Sequence, residues 1–146
     1  MHAALKEARS AMAEGEFPYG AVVIDVTGTV VARAQDRVLR DSDPTAHAEI
    51  GAVCAAISRV GPDLSGHALV SNVEPCAMCS TAAWWARVDA VAYGLSQADL
   101  FAMRPDSMDE AGLSVAAAQA IFQRQMAIHT DVCRDLASEI WHPVTQ

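Results

Sequence analysis

Between residues 21 and 93 the sequence alternates short runs of β-branched residues with longer runs rich in alanine. Two β-type runs, 21–24 and 29–32, flank a turn at 25–28, and this spacing predicts a β-hairpin. The segments that follow are typical of a helix, a strand, a helix and a strand, at residues 43–60, 67–73, 75–87 and 90–93. Strands that alternate with helices pair in parallel, and the helices cover the faces of the sheet. We therefore predict an α/β fold: a three-layer α/β/α sandwich with a mixed sheet of about five strands.

Start and stop signals bound several of these segments. Apolar spacing predicts a first helix over residues 5–13, and Gly15 is a suitable stop. Asp43 and Pro44 suit a helix N-cap and its first turn, so we predict that the second helix begins there, just before His47. Residues 96–112 are predicted to be irregular. After them we predict a helix over residues 113–125, a short strand over 126–129 and a helix over 130–141.

The composition is that of an acidic globular domain. With 146 residues, of which 52% are hydrophobic, the chain is long enough for one core, and we expect one domain over residues 1–146. The net charge is −8 and only ten residues are Lys or Arg, which disfavours nucleic acid as a partner. No apolar run reaches the length of a membrane span, and residues 1–14 lack the pattern of a secretory signal. We therefore expect a cytoplasmic protein without a membrane partner.

The cysteine content indicates metal or redox chemistry rather than a disulfide scaffold, because two of the four cysteines stand three residues apart. Pro75 precedes this pair, so Cys76 and Cys79 can both lie in the first turn of one helix, where the helix dipole lowers the pKa of a thiol. A catalytic zinc site has three nitrogen or sulfur ligands and one position for water. We predict His47 as the third ligand, because the intervening strand brings the two helix ends side by side.

Glu49 is the candidate proton carrier. Zinc lowers the pKa of a bound water, and a neighbouring carboxylate can take up the released proton and pass it to a leaving nitrogen. Positions two apart on a regular helix point to nearly opposite sides, so spacing alone does not bring His47 and Glu49 together. The two side chains can share a site only if it lies over the end of the helix.

Two motifs carry the most functional information: His47-Ala48-Glu49 and Glu74-Pro75-Cys76-Ala77-Met78-Cys79. Together they resemble the signature of the cytidine deaminase superfamily. The similarity extends over residues 17–22, 43–49 and 83–87, and these stretches look closest to guanine deaminase and related nucleobase and nucleoside deaminases. The resemblance implies a cytidine deaminase-like fold, one Zn²⁺ per chain held by His47, Cys76 and Cys79, Glu49 as the catalytic proton shuttle, and assembly as a homodimer.

The resemblance also suggests which residues contact the substrate. Relatives usually carry an asparagine eleven residues before the zinc histidine, where this chain has Asp36. A carboxylate only accepts hydrogen bonds, so we expect Asp36 to select a heterocycle with N–H donors, such as an amino-substituted purine, pyrimidine or triazine. Guanine deaminases place an acidic residue against the substrate after the fourth strand, which makes Asp106 and Asp109 candidates here. Trp85 lies where relatives have an aromatic residue close to the pocket, and a base could stack on it.

The function implied is zinc-dependent hydrolytic deamination of a small heterocycle of the guanine, cytosine or aminotriazine type, with release of ammonia. The alternatives are a tRNA adenosine deaminase, a non-catalytic protein with a structural zinc, and a thiol redox protein. A structural zinc needs a fourth ligand, but Cys54 lies about 10 Å beyond His47 along the same helix, too far to share an ion. We predict instead that Cys54 and Cys133 are buried, apolar-like residues within helices.

Overall fold

A computed structural model of the chain describes residues 1–105 and 114–142. The elements in these residues are, in chain order, α1 (His2–Ala13), β1 (Gly20–Ile24), β2 (Val30–Gln35), α2 (Val38–Asp41), α3 (Ala48–Val60), β3 (Ala68–Val73), α4 (Ala77–Trp85), β4 (Ala90–Leu95), α5 (Gln97–Met103), α6 (Val115–Gln119), β5 (Ala127–His129) and α7 (Arg134–Glu139). The strands and most of the helices match the predicted order.

The five strands form one mixed sheet in the order β2-β1-β3-β4-β5. β1 pairs antiparallel with β2 in the predicted hairpin, and antiparallel with β3 on its other side. β3 pairs parallel with β4, so that Val73 lies opposite Leu95 near their carboxyl ends, and β4 pairs parallel with β5. The parallel half is the part that the alternation of strands and helices predicted, because parallel neighbours require a crossover connection.

Helices cover both faces of this sheet and form two apolar clusters with it. One cluster joins α3, α4 and α6 to the sheet, through residues such as Ala52, Ala83 and Val115. The other joins α1, α5 and α7 to β3 and β4, through residues such as Leu5 and Leu100. The predicted three-layer α/β/α arrangement is therefore confirmed.

A glycine allows helix α3 to approach the sheet closely. A Cβ atom added at Gly51 would lie 2.8 Å from the Cβ of Ala34 on β2, well inside normal contact. The first turn of α3, which carries the candidate site residues, is thus held directly against the strand. Small residues at such contacts set how near a helix can lie to a sheet.

The structure corrects several predicted boundaries. Helix α3 begins at Ala48, so the prediction that Asp43 and Pro44 start it is wrong. Two helices were missed: α2, and α5 within the segment predicted to be irregular. Ser96 caps α5 by accepting the backbone N–H of Asp99, and this Ser-x-x-Asp spacing was a sequence signal for its start. The predicted helices over 113–125 and 130–141 are confirmed only in part, as α6 and α7.

The prediction that Cys54 and Cys133 are buried is also wrong, because both side chains are exposed. Cys54 lies on the outer face of α3. Cys133 precedes α7 as its N-cap residue, in a left-handed conformation with a φ of 55°. Among the described residues, no helix has both the length and the apolar character required to cross a lipid bilayer.

Candidate metal centre

His47 stands immediately before helix α3 as its N-cap residue. Its backbone is extended (φ −66°, ψ 150°), and its carbonyl accepts the N–H of Gly51 at 3.0 Å. An N-cap residue has non-helical dihedral angles, so its side chain does not follow the spacing of the helix behind it. This removes the geometric objection raised by the two-residue spacing of His47 and Glu49.

The segment that leads to His47, residues 36–46, is called the histidine loop below. Near its end, Asp43 forms an Asx turn, because its Oδ1 accepts the backbone N–H of Thr45 at 2.8 Å and the Thr45 hydroxyl at 2.7 Å. The Thr45 carbonyl in turn accepts the N–H of His47 at 2.8 Å. Asp43 therefore stabilises the turn before His47 and does not cap helix α3.

Cys76 holds the equivalent position on helix α4. It is the N-cap residue, with an extended backbone (φ −66°, ψ 173°), and its carbonyl accepts the N–H of Ser80 at 2.8 Å. Cys79 follows in the first turn of α4 and is buried. The connection from β3, residues 74–76, is called the cysteine turn below. As predicted, both cysteines lie at the start of one helix, beside the start of the helix that follows His47.

The three side chains fit one zinc ion. Their donor atoms all lie within 4.8 Å of one another. The Nδ1 of His47 is 3.8 Å from the Sγ of Cys76 and 3.6 Å from the Sγ of Cys79. A tetrahedral zinc, with bonds of about 2.3 Å to sulfur and about 2.0 Å to nitrogen, separates such atoms by about 3.6 Å. Within the described residues this donor group has three members, the number typical of a catalytic zinc site.

The Glu49 carboxylate lies directly beside these donors. Its Oε2 accepts a hydrogen bond from the Cys79 thiol at 3.6 Å, and its Oε1 accepts one from the hydroxyl of Ser71 at 3.2 Å. The residue is only 5% exposed, and burial raises the pKa of Glu49 to about 6. The structure thus brings together all four residues that the two sequence motifs singled out.

The donor groups also change one another's protonation. Hydrogen bonds from Cys79 and His47 lower the pKa of Cys76 to about 4. The bond to Cys76, together with burial, raises the pKa of Cys79. The hydrogen bond with Cys76 raises the pKa of His47 to about 9. Zinc binds thiolates and neutral imidazole, so loading this site releases protons and is favoured at higher pH.

Glu74 organises the cysteine turn, and sequence reasoning missed this role. Its Oε1 accepts the N–H of Val115 at 2.9 Å and its Oε2 accepts the N–H of Gln97 at 3.1 Å. The Gln97 side chain donates back to the carbonyls of Glu74 (3.3 Å) and Pro75 (3.1 Å). Because Glu74 and Gln97 are buried, these bonds fix the starts of α5 and α6 against the turn that carries Cys76. No local pattern signals such a contact, which spans more than 20 residues of sequence.

Of the three acidic residues predicted to contact the substrate, the structure describes Asp36. Asp36 follows β2, is 1% exposed, and accepts the N–H of Val38 at 3.2 Å. Burial raises the pKa of Asp36, and the charge of Glu16 raises it further, whereas the charge of His47 lowers it. Asp36 therefore lies within electrostatic range of the candidate metal ligand. Asp106 and Asp109 lie outside the described residues.

The two adjacent tryptophans have separate environments. Trp84 stacks on Phe122, with ring centroids 4.6 Å apart, and its Nε1 donates to the carbonyl of Arg124 at 2.9 Å. Trp85 is 72% exposed and meets Trp84 edge-on at 5.1 Å. Trp84 is thus a packing residue, and Trp85 is the one that remains accessible to a ligand.

Comparison with known proteins agrees with this geometry. The family described as the cytidine and deoxycytidylate deaminase zinc-binding region matches residues 1–95, and the chain belongs to this family. A probable cytosine deaminase of Schizosaccharomyces pombe is 36% identical over 104 residues, which are 71% of this chain and 63% of that protein. The chain therefore spans less than two thirds of the length of this curated relative.

Two solved structures resemble the chain over nearly all of its length. One comes from a study of A-to-I editing by tRNA:A34 deaminases at the wobble position of transfer RNA. It has a TM-score of 0.78 and 32% identity, covering 96% of both chains. The other is the guanine deaminase of Nitrosomonas europaea, with a TM-score of 0.80 and 26% identity over 94% of this chain and 78% of that one.

Proposed function

We propose that this protein is a zinc-dependent hydrolase that removes an exocyclic amino group from a nucleobase or a related small heterocycle and releases ammonia. The observation that carries the proposal is the position of the buried Glu49 carboxylate, 3.6 Å from Cys79 and beside a donor set of three. Three protein ligands leave zinc a position for water, and a carboxylate at that position serves proton transfer.

The role of zinc is limited to one contribution: when bound by His47, Cys76 and Cys79, it supplies an acidified water as the nucleophile. Glu49 performs the proton transfers. It takes one proton from the attacking water and gives it to the ring nitrogen as the carbon–oxygen bond forms. It then moves the hydroxyl proton to the amino group, the carbon–nitrogen bond breaks, and ammonia and a carbonyl product leave.

Asp36 provides the basis for proposing a substrate class. A buried carboxylate at the end of β2, within range of His47, favours a ring edge that presents N–H groups, as amino-substituted purines, pyrimidines and triazines do. The names of the relatives, a cytosine deaminase and a guanine deaminase, support this class. An Asp36→Asn variant should change the ranking of substrates by kcat/KM, and an unchanged ranking would exclude this role for Asp36. Stacking of the base on the exposed Trp85 and contacts from Asp106 or Asp109 belong to the same proposal.

A second candidate is deamination of adenosine in tRNA. The structural similarity to a tRNA:A34 deaminase over 96% of the chain favours it. The net charge of −8 argues against it, because binding to a phosphate backbone depends on Lys and Arg. We therefore place the small-molecule substrate first.

The experiment combines metal analysis with an ammonia-release screen. The purified protein should contain about one zinc per chain and release ammonia from at least one of guanine, cytosine, an aminotriazine or their nucleosides. Release from tRNA alone, with strong salt dependence, would establish the second candidate instead. One tightly held zinc without any ammonia release, together with unfolding on chelation, would indicate a structural metal.

We also propose a domain organisation, an assembly state and a location for this chain. We treat residues 1–146 as one deaminase domain, because the strands of its single sheet run from residue 20 to residue 129. We propose a homodimer and a cytoplasmic location, the former on family resemblance. Light scattering of the zinc-loaded protein tests the dimer, and a monomer at micromolar concentration would contradict it.

A further inference from the structure

The histidine loop depends on a carboxylate that lies far from it in sequence. Glu16, between α1 and β1, is 8% exposed. Its Oε2 accepts the N–H of Leu39 at 2.9 Å, and its Oε1 accepts the N–H of Arg40 at 2.7 Å. Both oxygens of one buried carboxylate are therefore committed to the backbone of this loop, across more than 20 residues of sequence.

Other hydrogen bonds hold the two ends of the histidine loop. At its start, the N–H of Asp36 donates to the Tyr19 carbonyl at 3.0 Å, and the Asp36 side chain accepts the N–H of Val38 at 3.2 Å. The N–H of Arg37 donates to the carbonyl of Ala46 at 3.0 Å, which closes the loop on the residue before His47. Glu16 holds the short helix α2 that lies between these two ends.

We infer that Glu16 is a positioning residue of the proposed active site: by holding the backbone at Leu39 and Arg40, it sets the place of the Asp36 carboxylate. The inference rests on the proposed function, because it assigns Glu16 a part in substrate binding through Asp36. His47 has separate supports, the bonds of its own N–H and carbonyl to Thr45 and Gly51. Changes at Glu16 should therefore affect the substrate more than the metal.

The first test is the isosteric variant Glu16→Gln. A glutamine oxygen can accept from one of the two amides, but its NH₂ group then faces the other N–H donor, so one bond is lost without a change of volume. KM for the best base should rise about tenfold while kcat changes by less than about threefold, and the zinc content should stay the same. The matched control is Glu14→Gln, because the Glu14 side chain forms an exposed ion pair with Arg40, at 3.8 Å, and its replacement should leave KM unchanged.

A double-mutant cycle separates positioning of Asp36 from general damage to the fold. If Glu16 acts through Asp36, Glu16→Gln should change KM by less than about twofold in an Asp36→Asn background. An equal rise in KM in both backgrounds, or no rise in either, would overturn the inference. Loss of zinc from Glu16→Gln would also overturn it, because the effect would then pass through His47.

Amide hydrogen exchange supplies a readout that does not depend on activity. Exchange at Leu39 or Arg40 should become faster in Glu16→Gln, while the amide of Gly51 keeps its protection. Unchanged exchange throughout the histidine loop would show that Glu16 does not hold it and would refute the inference even if the wild type deaminates bases. If the wild type releases no ammonia from any substrate, the proposed function is refuted, and with it the role of Glu16 in substrate binding. The exchange data would still decide whether Glu16 holds the histidine loop.

Discussion

The two sides of the candidate metal centre are built in different ways. On the cysteine side, Cys76 stands three residues beyond the end of β3, and the turn is buried and bonded to the neighbouring strand, with the Glu74 N–H donating to the Leu95 carbonyl at 2.8 Å. On the histidine side, the mostly exposed residues 36–46 separate β2 from His47. A ligand that directly follows a central strand takes its position from the sheet, whereas a ligand at the end of a loop needs separate anchors.

Each side also contains a buried carboxylate that accepts backbone N–H groups, but the two carboxylates hold different parts of the chain. Glu74 is part of the cysteine turn and binds the starts of two later helices. Glu16 precedes the whole sheet and binds the middle of the histidine loop. Equivalent N-cap positions are therefore reached in two ways: Cys76 follows a buried turn, whereas His47 is held by the bonds of its own backbone to Thr45 and Gly51.

The largest effect is expected from removing one ligand on either side. Both Cys76→Ala and His47→Ala should reduce the zinc content from about one per chain to near zero and abolish ammonia release, because two ligands bind zinc far more weakly than three. Metal analysis after dialysis measures this. Cys54→Ala, an exposed cysteine on α3, is the control and should retain zinc. Full zinc retention in His47→Ala alone would mean that the metal belongs only to the cysteine side.

Glu49→Gln should separate chemistry from metal binding. The variant should keep its zinc and its fold while kcat falls by a factor of about 10² to 10⁴, since a proton shuttle acts in the transition state. Single-turnover ammonia release measures the step. Glu139→Gln, on the outer helix α7, provides a control that leaves kcat unchanged. If the kcat of Glu49→Gln stays within tenfold of the wild-type kcat, Glu49 is not the proton shuttle.

Glu74→Gln tests the support of the cysteine turn. In the glutamine side chain an NH₂ group replaces one of the two oxygens and cannot accept a hydrogen bond. The N–H of either Val115 or Gln97 therefore loses its acceptor, and the free energy of unfolding should fall by about 3 kcal/mol. Urea unfolding of the zinc-loaded protein gives the value. We expect a smaller loss for Glu16→Gln, because the histidine loop is more exposed. A larger loss for Glu16→Gln would reverse the contrast between the two sides.

Gly51→Leu tests the contact that places the first turn of α3 on the sheet. The new Cβ would lie 2.8 Å from the Cβ of Ala34, so the helix must shift. The higher helix propensity of Leu offsets part of the strain, which leaves a loss of about 1–2 kcal/mol in unfolding free energy. Ala55→Leu, at an exposed position of the same helix, is the control. Equal unfolding midpoints for the two variants would show that this contact does not constrain α3.

The candidate site was predictable because its chemistry is local in sequence. Cys76 and Cys79 share one helical turn, Pro75 marks its start, and His47 with Glu49 forms the second motif. The error at Asp43 and Pro44 shows the limit of such signals. The same capping side chain suits a helix N-cap and an Asx turn, and tertiary contacts decide between them.

Helix α5 shows a different limit. Its start carried a capping signal at Ser96 and Asp99 that the surrounding polar residues obscured. The exposure of Cys54 was mispredicted because the hydrophobic character of a residue type does not specify which face of its helix meets the core. Cys133 was mispredicted because it precedes α7 instead of lying within a helix.

Periodicity along the chain predicted the class of fold, because it is a property of neighbouring residues. The four candidate site residues were predicted from the short spacing of Cys76 and Cys79 and from the resemblance of the two motifs. How these residues meet depends on the packed fold. In that fold His47 is an N-cap residue with an extended backbone, and Glu49 lies within 3.6 Å of Cys79. Glu16 binds the histidine loop, and Glu74 binds the start of α6. Hydrogen bonds between distant segments depend on where the packed sheet and helices bring the backbone, and no local pattern records that.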